Sequence, residues 1–178
     1  MRLEGLNALD EAAATRAFLR CCGSSRWAKA MAAARPFADA ASMTAAADTI
    51  WGALDRAAWL EAFAAHPKIG ESGGADGSSR SGGPGGAGWS DQEQAGVAGA
   101  AGQTRHRLAD ANRDYEARFG YIFIVCATGK TAEEMLVRLE RRLRHDADEE
   151  LRIAAGEQQK ITQLRLMKLL GQEPDTRS

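Results

Sequence analysis

Three stretches of the 178-residue chain carry side chains suited to proton transfer or to holding an anion: His66 and Pro67 in HPKIGE, residues 90–94 in WSDQEQAGV, and Arg165 in KITQLRL. Histidine titrates nearest neutrality, so it can both give and take a proton. Before His66, the residues Trp59, Leu60 and Phe63 recur at helical spacing, and Pro67 forbids that helix to continue. The ring is therefore expected in the last turn, on the face of Phe63, Ala62 and Trp59, which lie three, four and seven residues back. There the negative end of the helix dipole favours its charged form and burial opposes it. A core histidine satisfied by a backbone carbonyl is the plainer reading of the same position.

Ser90 and Glu93 form S-x-x-E, a capping-box signature. A capped helix start still presents backbone amides, and Gln94 adds a group that both donates and accepts, so this end suits a ureide as well as a cap. Arg165 follows Ile161, Gln158 and Ala154 by four, seven and eleven residues, on a half-apolar face. Its guanidinium either snorkels to solvent or turns inward to meet an anion, because an unpaired buried charge is costly.

Other apparent motifs fail on their spacing. The sequence ATGKT at 127–131 ends like a phosphate-binding loop, yet Ile124 stands where that motif needs glycine. Cys126 lies in an apolar run with no adjacent base, which reads as an inert buried thiol. The three histidines show no metal-ligand spacing, so no metal is expected.

With 23 basic and 24 acidic side chains interspersed and a formal charge of −1, neither nucleic acid nor an anionic membrane is indicated as a partner. A small molecule is. Cys21, Cys22 and Cys126 leave an odd thiol in any pairing scheme, which points to a reducing compartment. There is no apolar core behind basic residues at the N-terminus and no run approaching ~18 apolar residues, so a cytoplasmic protein is expected.

The elements that must position these groups are helices. Asn7, Ser25, Ser42 and Asp55 are the expected starts of the first four, and Gly23, Pro36 and Pro67 are breakers between them. Gly/Ser-rich sequence over 71–88 reads as a flexible loop. A long helix then opens at Ser90 and closes at Gly120, Thr131 and Glu134 cap another, and Asp148 opens the last, leaving a tail over 171–178. YIFIVCA, residues 121–127, has strand composition but no partner strand, and is expected as a buried irregular connection. The fold class is all-α: one domain over 1–178, a bundle of about seven or eight helices.

Taken together, HPKIGE, WSDQEQAGV, RFGYIFIVCATGKTAEEMLVRLERRL and KITQLRL, with Leu6, Asn7 and the RPF at 35–37, resemble the OHCU decarboxylases. OHCU is 2-oxo-4-hydroxy-4-carboxy-5-ureidoimidazoline, an intermediate of uric acid breakdown. The resemblance implies an all-α homodimer that turns OHCU into (S)-allantoin and carbon dioxide without metal or organic cofactor. It implies catalytic roles for His66, Glu93 and Arg165. It also implies substrate contacts from Pro67, from Ser90, Asp91, Gln92, Glu93 and Gln94, and from Phe123, Ile124, Val125, Cys126 and Ala127. The alternative is a non-catalytic helical module that binds a ureide or purine metabolite on the same scaffold.

Overall fold

The computed structural model of the chain describes residues 1–68 and 102–171. Among these, eight helices and no strand form: α1 (Leu3–Asn7), α2 (Glu11–Cys21), α3 (Ser25–Ala33), α4 (Ala40–Gly52), α5 (Arg56–Ala64), α6 (Gly102–Phe119), α7 (Ala132–Arg142) and α8 (Ala147–Leu169). The all-α class is as expected. The loop over 71–88, the helix start at Ser90 and all of the tail beyond Gly171 lie outside the described residues. No helix among the described residues is long and apolar enough to cross a membrane.

Several helices are capped by other residues than the expected ones. Asp10, not Asn7, caps α2, its carboxylate accepting from the Ala13 N–H at 2.7 Å. Asn7 instead closes α1 and clips the chain to Phe37, donating to its carbonyl at 2.8 Å and accepting from its N–H at 3.0 Å. Ser24 caps α3 in place of Ser25. Asp39 caps α4, and Ser42, three residues in, returns the bond to complete a capping box. At α8 the carboxylate of Asp146, rather than Asp148, accepts from Glu149 at 2.8 Å. A cap must lie in extended backbone just outside the helix, so among closely spaced short polar residues local geometry chooses one. Asp55 before α5 and the Thr131–Glu134 box before α7 form as expected.

The chain divides into two units, Met1–Ala62 with Gln159–Ser178, and Phe63–Gln158. In the first, α3 packs on α2 and α4. Its core contains Leu6, Phe18, Trp27, Met31 and Met43, with the Phe18 ring edge-on to Trp27 and Phe37 at 6.0 and 6.3 Å. Arg35 gathers carbonyls at the end of α1, reaching Leu6 at 2.8 Å and Leu9 at 2.7 Å. These are helix-end acceptors that otherwise need water.

In the second unit α6 packs on α7. Leu108, Tyr115 and Phe119 line one buried stripe, and Met135 and Leu139 line the other. Residues 121–127 run between these two helices, buried throughout and free of strand pairing. Tyr121, Phe123, Tyr115 and Phe119 form an aromatic cluster with ring centroids 4.7 to 6.2 Å apart.

Candidate active site

Helix α5 stops at Ala64, so His66 lies two residues beyond it rather than in its last turn. The cause is Pro67, whose ring disfavours helical backbone at the residue before it. The His66 N–H still reaches the Phe63 carbonyl at 3.1 Å. The residue is half-buried and its Nε2 has essentially no solvent contact, whereas Pro67 is exposed. Anchors pin this corner on both sides. The Phe63 ring sits 5.3 Å from that of Tyr121, and Lys68 pairs with Glu116 of α6 at 2.7 Å. The imidazole is thus placed by packing of the turn, not by helix phase.

Phe123, Ile124, Val125, Cys126 and Ala127 are each under a tenth exposed. A buried extended segment without a sheet must find partners for its peptide groups elsewhere, at about 1–3 kcal/mol for each bond left unmade. Here side chains supply them. Asn112 accepts from the Phe123 N–H at 3.2 Å, and Arg142 donates to the Ile124 carbonyl at 2.7 Å. At Cys126 the N–H goes to Glu157 at 2.7 Å and the carbonyl receives Lys130 at 2.5 Å. The backbone is therefore held in place without a neighbouring strand, which is how an apolar run of this composition escapes sheet formation.

Arg142 is itself buried, with Glu150 as its counter-charge at 2.7 Å from Nε. The carboxylate also accepts from the Tyr115 hydroxyl and stands 2.8 Å from Nδ1 of His145. Burial pushes the Tyr115 phenol far above its ordinary range, so it remains a neutral donor.

In the first unit, Arg165 of α8 is 5% exposed, which settles its orientation in favour of burial over snorkelling. Cys21 and Cys22 feel its charge. Burial pushes the Cys21 thiol up to about 12, against the pull of Arg165. Cys22 rises to about 11 for the same reason, moderated by hydrogen bonds with the Ser24 backbone and the Thr162 side chain and then by Arg165.

His66 and residues 123–127 belong to one unit and Arg165 to the other. Ser90, Asp91, Gln92, Glu93 and Gln94 lie outside the described residues. Among the described residues no group of three or more His, Cys, Asp or Glu is arranged to hold a metal ion. Sequence reasoning missed the side chains that hold 121–127. A signal for two of them exists: Asn112 interrupts the Leu108, Tyr115, Phe119 stripe, and Arg142 occupies the position that continues Met135 and Leu139.

Residues 7–167 match the family model described as OHCU decarboxylase. The chain belongs to the OHCU decarboxylase family. It is 39% identical over 149 residues to the uric acid degradation bifunctional protein TTL of Arabidopsis thaliana, a match covering 84% of this chain but 45% of that protein, so it spans under half of that relative's length. To the 2-oxo-4-hydroxy-4-carboxy-5-ureidoimidazoline decarboxylase of Amia calva it is 29% identical over 143 residues, 80% of this chain and 79% of that one. Among solved structures, an OHCU decarboxylase crystallised in the presence of (S)-allantoin superposes with a TM-score of 0.74 at 36% identity, covering 88% of this chain and 98% of the other.

Proposed function

We propose that this chain acts as one OHCU decarboxylase-like domain, converting OHCU to (S)-allantoin in uric acid degradation, in the cytoplasm, as a homodimer and without metal or organic cofactor. The observation that carries the reading is the family match over residues 7–167, which includes every residue of the proposed site. A 36% identical structure obtained with (S)-allantoin supports the product's identity.

In this reading the ring carbon's bond to its carboxylate breaks, carbon dioxide leaves, and the electron pair moves toward the adjacent C=N, whose nitrogen takes up a proton. The resulting enol loses its hydroxyl proton as the neighbouring, ureido-bearing carbon gains one. His66 either takes the hydroxyl proton or delivers one to the ureido-bearing carbon from one face, and it is the delivery to carbon that fixes the product's handedness. Glu93 and Gln94 grip the ureido group, and Arg165 orients the carboxylate. Pro67, Ser90, Asp91, Gln92 and the backbone of residues 123–127 complete the contacts. Holding the substrate, rather than attacking it, is the protein's main task.

OHCU decays unaided to racemic allantoin, so the test follows optical activity from OHCU freshly generated from urate. The parent chain should yield the dextrorotatory enantiomer faster than background. His66→Asn should fall to the background rate and give racemic product with its helical circular dichroism intact, and parental rates in that variant would remove His66 from the mechanism. Binding of (S)-allantoin by the parent with no acceleration would favour the non-catalytic module instead.

A further inference from the structure

Four side chains hold the backbone of residues 121–127, and Arg142 differs from the other three in being a deeply buried charge tied to a second one. A buried ion pair is seldom more stabilising than apolar side chains of equal volume, so cohesion alone is a weak reason for one on an apolar stripe. The guanidinium divides its fork between two tasks. Its Nε and Nη2 meet Glu150 Oε1 at 2.7 and 2.5 Å, while Nη1 donates to the Ile124 carbonyl at 2.7 Å. Its centre lies 4.6 Å over the Phe123 ring, so it grips two successive residues of the segment by different means. Glu150 is in turn held on both oxygens, Oε1 by the Tyr115 hydroxyl and Arg142, and Oε2 by His145 at 2.8 Å.

Resting on the reaction proposed above, we infer that Arg142 and Glu150 are a positioning pair: the fixed carboxylate aims the guanidinium, and the guanidinium sets the Ile124 peptide, so that residues 123–127 meet the substrate in one register. Neither side chain touches substrate. Lysine at 142 keeps the charge but cannot serve the carboxylate and the carbonyl together through a planar fork.

The experiment compares Arg142→Lys with Asp10→Ala in the full chain. Asp10→Ala removes the cap of α2, whose bond goes to the Ala13 N–H, and leaves the Arg142 to Glu150 and Arg142 to Ile124 bonds in place. Arg142→Lys is expected to raise KM for OHCU about tenfold with kcat changed less than about threefold, the mark of lost binding rather than lost chemistry. Amide hydrogen exchange over 121–127 should quicken about tenfold while α6 and α7 keep their protection. Asp10→Ala should lower the melting temperature with KM unchanged. A folded Arg142→Lys with parental KM overturns the inference, as does an Asp10→Ala that raises KM equally. Should Arg142→Lys fail to fold, Glu150→Gln carries the same two measurements. A parent chain inactive on fresh OHCU removes the function proposed above. Exchange then decides the positioning role alone: quickening confined to 121–127 supports it, and unchanged exchange overturns it.

Discussion

Arg165 and the two thiols near it show how burial redirects side chains that look reactive on paper. Adjacent cysteines beside a guanidinium would ordinarily suggest ready thiolates, since a neighbouring positive charge favours the anion. Burial outweighs that attraction here, leaving Cys21 at about 12 and Cys22 at about 11. At pH 8 the thiolate fractions are then about one in ten thousand and one in a thousand. The folded chain should resist iodoacetamide at Cys21 and Cys22, with labelling by mass spectrometry only after unfolding in guanidinium. The sign of the linked pH effect follows. The folded state keeps these protons to higher pH than the unfolded chain, so stability is whole below the ordinary thiol value and lost as pH rises above it. Between pH 9 and 10.5 the unfolding free energy from urea titration should fall, by up to about 1.4 kcal/mol per pH unit for each thiol. Cys21→Ala should make that fall shallower; an identical slope in the variant would mean the loss arises elsewhere.

At the scale of elements, the two ends and the middle of a helix respond to different chemistry. Thr131 accepts from the Glu134 N–H at 3.2 Å, and Glu134 returns a bond to the Thr131 N–H at 2.9 Å. Thr131→Ala should therefore cost about 1 kcal/mol in urea unfolding. Gly156 lies within α8, and a Cβ there would meet nothing within 4 Å. Gly156→Ala should act the other way, stabilising by about 0.4–1 kcal/mol, and a loss would show crowding that the geometry does not. The same contrast explains what the sequence makes legible. Helix faces can be read because apolar spacing repeats: Trp27 and Met31, Leu108 and Tyr115, Met135 and Leu139 recur four or seven residues apart and are all buried. Starts such as Asp10, Asp39 and Asp146 cannot, because several short polar residues compete within four positions and only backbone geometry selects one. The exit of His66 from α5 follows from Pro67, which also makes the local apolar face an unreliable guide to the ring. As for residues 121–127, burial without pairing is readable from composition, whereas the partners Asn112, Arg142, Glu157 and Lys130 depend on which carbonyl or N–H each meets in three dimensions.

Association belongs to the molecule as a whole, and surface composition constrains what kind it can be. Among the described residues the large apolar side chains left exposed are Met1 and Val137, at 48% and 65%. Permanent homodimers usually bury upward of about 2,000 Å² through patches resembling a core cut in half. Two separate apolar side chains do not make such a patch. With a formal charge of −1 there is also little net repulsion between copies to oppose contact. A homodimer of this chain formed through the described surface should therefore be polar and reversible. Light scattering across a dilution series should find a mass moving from about twice 19.0 kDa toward that of one chain, with a midpoint in the micromolar range typical of weakly apolar contacts. A mass fixed at two chains down to nanomolar concentration would overturn the expectation drawn from the described surface.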